Sequence, residues 1–226
     1  MGNFQLTEIN DKLNSTYVNK KDNVVYRFAK RLFDIIFSSV LLIIVLPLLL
    51  VLALLILLID KQTPIYVSER IGYKGRPFKI YKFRSMKADA RPLEEVLSEN
   101  EYNEFVKNYK IEKDPRITKL GSIIRKTSID ELPQLVNILK GDMTLVGPRP
   151  VLQEETELYG EERDLLLSVR PGLTGLWQAS GRNNLDYESG KRQAVELFYV
   201  RNRGALFDIK ILFMTIKAAI TMNGAM

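Results

Sequence analysis

Ile35-Ile-Phe-Ser-Ser-Val-Leu-Leu-Ile-Ile-Val-Leu-Pro-Leu-Leu-Leu-Val-Leu-Ala-Leu-Leu-Ile-Leu-Leu-Ile59 is a run of 25 positions in which only Ser38 and Ser39 are polar and none is charged. A run of that length and purity reads as a membrane segment. It is longer than the apolar core of a secretory signal, and Asp60-Lys-Gln62 follows in place of a small-residue cleavage site, so it is expected to remain in the mature chain. Pro47 stands at the midpoint with twelve residues on each side. Each half, as a helix, is about 18 Å long, well short of a hydrocarbon core of about 30 Å. Proline removes a backbone donor and clashes with the preceding turn, so a break or strong kink is expected at Leu46-Pro47. Basic residues flank both ends: Lys20, Lys21, Arg27, Lys30 and Arg31 before, and Lys61, Arg70, Lys74, Arg76, Lys79, Lys82 and Arg84 after. A simple crossing leaves most Lys and Arg on the cytoplasmic side, so symmetric flanks favour a re-entrant dip with both ends on one side. A kinked transmembrane helix is the alternative, since such helices tolerate proline.

Outside this run the composition excludes more than it selects. The 226 residues suit one domain plus an anchor. A net charge of +6, from 33 basic and 27 acidic residues, favours an anionic partner without choosing among phospholipid, nucleotide and nucleic acid. With no cysteine there is no disulfide, thiolate nucleophile or iron–sulfur cluster; with no histidine either, the usual general base and ordinary zinc sites are gone. Chemistry falls to carboxylates, hydroxyls, Lys or Arg, and a bound metal would be a hard, oxygen-held cation, of which magnesium suits phosphates.

Residues 1–25 read as a polar lead-in, 26–60 as the membrane helix and 61–226 as a catalytic domain. Pro64-Ile-Tyr-Val-Ser68 and Phe78-Lys-Ile-Tyr-Lys-Phe-Arg84 predict a short hairpin turning at Gly72 and Gly75. The charged stretch from Ala88 to Lys110 predicts an exposed helical excursion. Ile117, Leu120, Ile123 and Ile124 recur at helical spacing among Lys119, Arg125 and Lys126, predicting an amphipathic helix that lies at the lipid interface or packs on the core. The apolar stretch from Leu206 to Ile220 carries Asp208, Lys210 and Lys217, so it is expected to be an interfacial or core helix and not a second span.

Thr127-Ser-Ile-Asp-Glu-Leu-Pro-Gln-Leu-Val-Asn-Ile-Leu-Lys-Gly141 predicts a helix with a glycine stop, capped at Ser128 or at Asp130 itself. Either choice puts Asp130 and Glu131 at the helix N-terminus, where unpaired backbone donors favour anions. Capping alone accounts for two acids there. The surroundings argue for chemistry: Arg125 precedes the pair, Arg149 follows between two prolines, and Arg182 lies beyond the glycine- and proline-rich loop Arg170–Gly175. Arginine presents planar, bidentate donors to phosphate oxygens, so three of them around one acidic turn suggest a diphosphate site. For Lys82 and Arg84 a substrate role and a basic strand face are equally open.

These stretches resemble the bacterial sugar transferases, specifically the small monotopic phosphoglycosyl transferases, or undecaprenyl-phosphate sugar phosphotransferases. The resemblance rests on Lys30-Arg-Leu-Phe-Asp34, Glu69-Arg-Ile-Gly72, Tyr81-Lys-Phe-Arg-Ser-Met86, Asp114-Pro-Arg-Ile-Thr118, Thr127–Gln134, Gly141-Asp-Met-Thr-Leu-Val-Gly-Pro-Arg-Pro150, Val169-Arg-Pro-Gly-Leu-Thr-Gly175 and Tyr199-Val-Arg-Asn202, in order from Lys30 to the C-terminus. It implies an α/β, mostly α, fold: a re-entrant membrane helix, a small cytoplasmic catalytic domain, interfacial amphipathic helices and a short hairpin. Familiar members break the helix at a Ser-Pro pair; here Leu46 precedes the proline. Larger relatives carry further N-terminal helices and an extra domain, and this chain is expected to be the catalytic unit alone.

By that resemblance Asp130 is the nucleophile, attacking the sugar-linked phosphate of a UDP-sugar, releasing UMP and passing the phosphosugar to undecaprenyl phosphate. Glu131 would hold Mg2+, and Arg125, Arg149 and Arg182 would bind phosphate or nucleotide. Lys30, Arg31, Asp34 and Pro47 would meet lipid. The expected partners are a UDP-sugar, undecaprenyl phosphate and membrane phospholipids, without nucleic acid and with a homodimer left open. The expected place is the cytoplasmic face of the bacterial inner membrane, at the first membrane step of exopolysaccharide, capsule, O-antigen or glycoprotein glycan assembly, with the sugar open between galactose and glucose types. A basic membrane-bound scaffold and a metal-dependent lipid phosphatase are the competing readings from other classes.

Overall fold

The computed structural model describes residues 23–87, 93–98, 102, 114–180 and 189–221. The lead-in to residue 22, most of the 88–110 excursion and Arg182 lie outside them; a helical turn, Leu93–Val96, falls within the excursion. The long apolar run forms one helix, α1, from Val24 to Leu55, started by the Asn23 side chain accepting from the Val25 N–H at 2.9 Å. A π-helical turn, Ile56–Asp60, extends it to Lys61, whose left-handed φ of 53° ends it. Helical structure continues through Pro47, so of the expected break or strong kink the break is absent: one lost donor does not undo a helix whose flanking turns are packed. Pro47 itself is exposed, on the side facing away from the domain.

One stripe of α1 is buried along its length. Asp34 and Ser38 begin it, Leu41, Leu42 and Val45 pack against the core, and Leu49, Leu52 and Ile56 close it against Phe83 and Ile124. The opposite side is apolar and open, with Ile36, Val40, Ile43, Ile44, Leu50, Val51 and Leu57 exposed. Both ends of the stripe therefore lean on the same domain. From Asp34 to Ile56 that contact runs about 33 Å at 1.5 Å per residue.

The head of α1 is fastened by charge. The Arg31 guanidinium donates to the carbonyls of Ile138 at 2.6 Å and Leu139 at 3.0 Å, capping a neighbouring helix. Asp34, 3% exposed, accepts from the Thr144 hydroxyl at 2.6 Å and the Leu145 N–H at 3.0 Å. Lys30 pairs with Asp208 at 2.5 Å, and Asp208 also accepts from Tyr26 and Tyr199. Of the residues expected to meet lipid, Asp34 is instead enclosed by the protein, while Lys30 and Arg31 stay half-buried and also hold partners inside it.

The hairpin forms as expected, with β1 (Ile65–Ile71) antiparallel to β2 (Pro77–Phe83) and Ile65 opposite Phe83, Ser68 opposite Ile80 and Arg70 opposite Phe78. Helix α2 (Lys119–Lys126) is capped by the Thr118 hydroxyl, which accepts from the Gly121 N–H. Ile124 is buried against the core, as the packing alternative expects, while Ile123 is 62% exposed. A 3₁₀ turn, Ile129–Glu131, then leads to α3 (Gln134–Lys140), β3 (Thr144–Val146), α4 (Gln153–Glu157), α5 (Arg163–Leu167), β4 (Gly172–Thr174), α6 (Leu176–Ala179), α7 (Lys191–Asn202) and α8 (Ala205–Thr221). β3 and β4 pair in parallel. The core gathers Leu135 and Ile138 of α3, Leu145 and Val146 of β3, Tyr199 and Val200 of α7, and Ile211 of α8. On α8, Ile211 and Asp208 face inward while Leu206, Phe213 and Ile216 are exposed.

Candidate active site

The carboxylate pair does not cap an α-helix. Ser128 takes a left-handed φ of 56°, Ile129–Glu131 form a 3₁₀ turn, and α3 begins only after Pro133, which corrects the predicted N-terminal placement. Pro133 carries no N–H, so the turn before it cannot continue into α3 by regular hydrogen bonding. Asp130 is 9% exposed, and burial pushes its carboxyl up to about 6, with Glu131 beside it adding to the rise. Lys82 and Arg125 oppose that shift. The site therefore holds a carboxylate that is costly to ionise and flanked by two cations that make ionisation feasible at neutral pH.

Three elements converge to build it. Lys82, on β2, gives its ammonium to Glu131 at 2.7 Å. Arg125, in the last turn of α2, has one buried guanidinium nitrogen with no hydrogen-bond partner. Helix α2 can lie so close because Gly121 presses on Ser85, where an added Cβ would come within 2.0 Å of the Ser85 carbonyl. Of the two basic strand residues left open by the sequence, Lys82 enters the site. Arg84 instead turns to Thr63, donating to its carbonyl and hydroxyl at 2.9 Å each.

Arg149 belongs to a second charged cluster. Its guanidinium donates to Glu155 at 3.0 Å, and its backbone N–H reaches both carboxylate oxygens of Glu196 at 3.3 Å. Burial pushes Glu155 up, but Arg149 and the Leu152 N–H overcome it and hold the carboxyl below its ordinary range. Fully enclosed Glu196 is raised by burial to about 7, against the pull of Arg192. Arg192 is 5% exposed and lies over the Trp177 ring at 3.9 Å. Glu155, Glu196 and Arg192 escaped the sequence reading because single charges on helices look like solvent-facing residues.

The hairpin relates the two clusters. Alternation puts Lys82, Ser68 and Arg70 on one face of the ribbon, together with buried Ile80. Lys82 meets Glu131 at one end, and Arg70 lends its charge to Glu155 at the other. By register they stand four residues apart, about 13 Å along the strand. Arg125 thus acts on Asp130 through its charge, Arg149 is held in the second cluster, and Arg182 is outside the described residues.

Because Lys82 draws down the Asp130 carboxyl, Lys82→Met is expected to raise it further. If activity requires ionised Asp130, the acid limb of the pH–rate profile should move to higher pH than in the wild type. An unmoved limb would remove Lys82 from the electrostatics of the site.

Buried Asp130 and half-buried Glu131, framed by cations, thus lie on a domain that carries one long, largely exposed apolar helix. The chain matches the bacterial sugar transferase family over residues 25–222 and belongs to it. It is 46% identical over 202 residues to the undecaprenyl-phosphate galactose phosphotransferase of Salmonella typhimurium, covering 88% of this chain and 42% of that protein. It is 37% identical over 198 residues to the UDP-glucose:undecaprenyl-phosphate glucose-1-phosphate transferase of Escherichia coli, covering 85% and 40%. With exopolysaccharide production protein ExoY of Rhizobium meliloti it shares 42% identity over 201 residues, covering 87% and 88%. The chain thus spans less than half of the first two proteins and most of the third.

Proposed function

We propose that this chain transfers a sugar 1-phosphate from a UDP-sugar to undecaprenyl phosphate at the cytoplasmic face of the inner membrane. The observation that carries the reading is buried Asp130 beside Glu131, with Lys82 paired to Glu131 and the charges of Lys82 and Arg125 both acting on Asp130. An Asp130 oxygen attacks the phosphorus that bears the sugar. The bond from that phosphorus to the bridging oxygen breaks, UMP leaves with the bridging oxygen, and a phosphosugar–carboxylate intermediate remains. An oxygen of undecaprenyl phosphate then attacks the same phosphorus, releases Asp130 and yields the lipid diphosphate sugar. A carboxylate suits this relay because it is already deprotonated and is also a competent leaving group. Arg125 and Lys82 neutralise charge at the transferred phosphoryl group.

Magnesium fits the donor set. Among the described residues no third acidic group joins Asp130 and Glu131, and magnesium is commonly held by one or two carboxylates with substrate phosphates completing the shell. Glu131 would hold it, and the bound ion would offset diphosphate charge. Incubation with UDP-galactose or UDP-glucose, undecaprenyl phosphate and Mg2+ should release UMP with turnover only when all components are present, and at most about one equivalent per protein when undecaprenyl phosphate is left out. No UMP from any UDP-sugar would overturn the reading.

The geometry of α1 favours monotopic attachment to phospholipid. A helix spanning a core of about 30 Å carries its two ends to opposite faces, yet here both ends rest on one domain and basic residues flank both. The exposed apolar side is then available to acyl chains of a single leaflet. Pro47 on that outer side favours curvature toward the domain, because its ring clashes with the carbonyl one turn back. In whole cells, single cysteines at Arg27 and Gln62 should both be labelled only by reagent admitted to the cytoplasm. Labelling from opposite sides would mean that α1 crosses the membrane.

A further inference from the structure

Helix α6 carries a buried acceptor that no group among the described residues uses. Gln178 is 8% exposed, and its side-chain carbonyl oxygen is enclosed without a hydrogen-bond partner; the Ser180 hydroxyl, two residues on, is likewise unpartnered. A buried amide oxygen left unpaired costs stability, so its persistence calls for a partner that arrives from outside.

Its position identifies the partner. Gly175, which opens α6, lies against the strand β3 exit so closely that a Cβ there would stand 2.1 Å from the Gly147 carbonyl oxygen and 2.8 Å from the Gln178 oxygen. Gln178 therefore borders the Gly147-Pro-Arg149 loop. Its neighbour Trp177 stacks under Arg192, whose charge acts on Glu155 and Glu196, the two anchors of Arg149. Glu155 in turn feels the charge of Arg70, at the end of the ribbon remote from Lys82. If the sugar-linked phosphate lies at Asp130, the remaining phosphate and ribose of an extended donor reach along the ribbon and bring its nucleoside to this end. Arginines there read phosphate charge, whereas a neutral amide reads a neutral edge.

We infer that Gln178 recognises the nucleoside of the donor, accepting a hydrogen bond from an N–H or O–H of uridine. The inference rests on the proposed reaction, in which the donor is a UDP-sugar and the product is UMP.

The test uses the full-length protein in detergent and Gln178→Met, which keeps the length of the side chain and removes the acceptor. UMP binding by titration calorimetry and UMP product inhibition should both weaken about tenfold, with KM for the UDP-sugar rising alike, kcat near wild type and the Tm of the unliganded protein at or above wild type. A raised KM with unchanged UMP affinity would place the contact on the sugar and overturn the inference. Unchanged affinity for both ligands would overturn it too, as would a fall in Tm and kcat without loss of UMP binding. Wild-type turnover tests the reaction itself. The ratio of UMP affinities between wild type and variant tests Gln178, so the two failures are distinguishable.

Discussion

Asp130→Asn is expected to abolish UMP release, lowering kcat by about 10³-fold or more, while making the protein more stable at neutral pH. The two effects share a cause. Burial, with Glu131 adding to it, raises the folded-state carboxyl from 3.8 to about 6. A carboxyl raised on folding favours the protonated form, so ionised Asp130 destabilises the fold. That destabilisation is absent below the unfolded value and fully present above the folded one. Two pH units correspond to about 3 kcal/mol, an upper figure for what the neutral amide restores. The variant should therefore melt several degrees above wild type at pH 7.5, and the difference should vanish as the pH falls from 6 toward 4. Wild-type kcat/KM should climb through pH 6 over the same interval. An Asn variant with normal turnover would refute the assigned nucleophile; one that melts with wild type at every pH would refute the electrostatic cost.

Much of this site was legible residue by residue, yet its assembly was not. The apolar run, the glycine turn of the hairpin and the Gly141 stop, found at a φ of 92°, follow from local rules and appear where those rules put them. Local rules fail where a distant partner decides. Asp34 and Arg31 read as interfacial anchors because they border an apolar run; their partners, Thr144 and the end of α3, are more than a hundred residues away. Proline chemistry predicted a break in α1, but packing on both sides of Pro47 retains the helix. Capping chemistry placed Asp130 at a helix end, whereas Pro133 and the left-handed Ser128 divide that segment into a 3₁₀ turn and a later helix. The acids themselves were singled out by motif and surrounding arginines. Their inequality, one enclosed and one paired with Lys82, comes only from three dimensions.

Gly172→Ala is expected to destabilise the protein by about 3 kcal/mol or more, the upper part of the range for overpacking. A Cβ at Gly172 would stand 2.1 Å from the Gly147 nitrogen, 2.4 Å from the Thr174 carbonyl oxygen and 2.6 Å from the Gly147 Cα. All three atoms are backbone, so no rotamer change relieves the clash, and β3 must move away from β4. That movement strains the bond from the Gly147 N–H to Thr174 at 2.9 Å and the one from the Gly172 N–H to Pro148 at 2.7 Å. The second bond holds the residue immediately before Arg149. The methyl group should therefore lower Tm and, through the displaced loop, raise KM for the nucleotide sugar, though it lies on neither carboxylate. Gly204→Ala is the control, because nothing lies within 4 Å of its added Cβ, and it should stay within about 0.5 kcal/mol of wild type. Thermal melts of the three proteins in one detergent decide the matter. If Gly172→Ala melts with Gly204→Ala, the close strand contact does not hold the Arg149 loop.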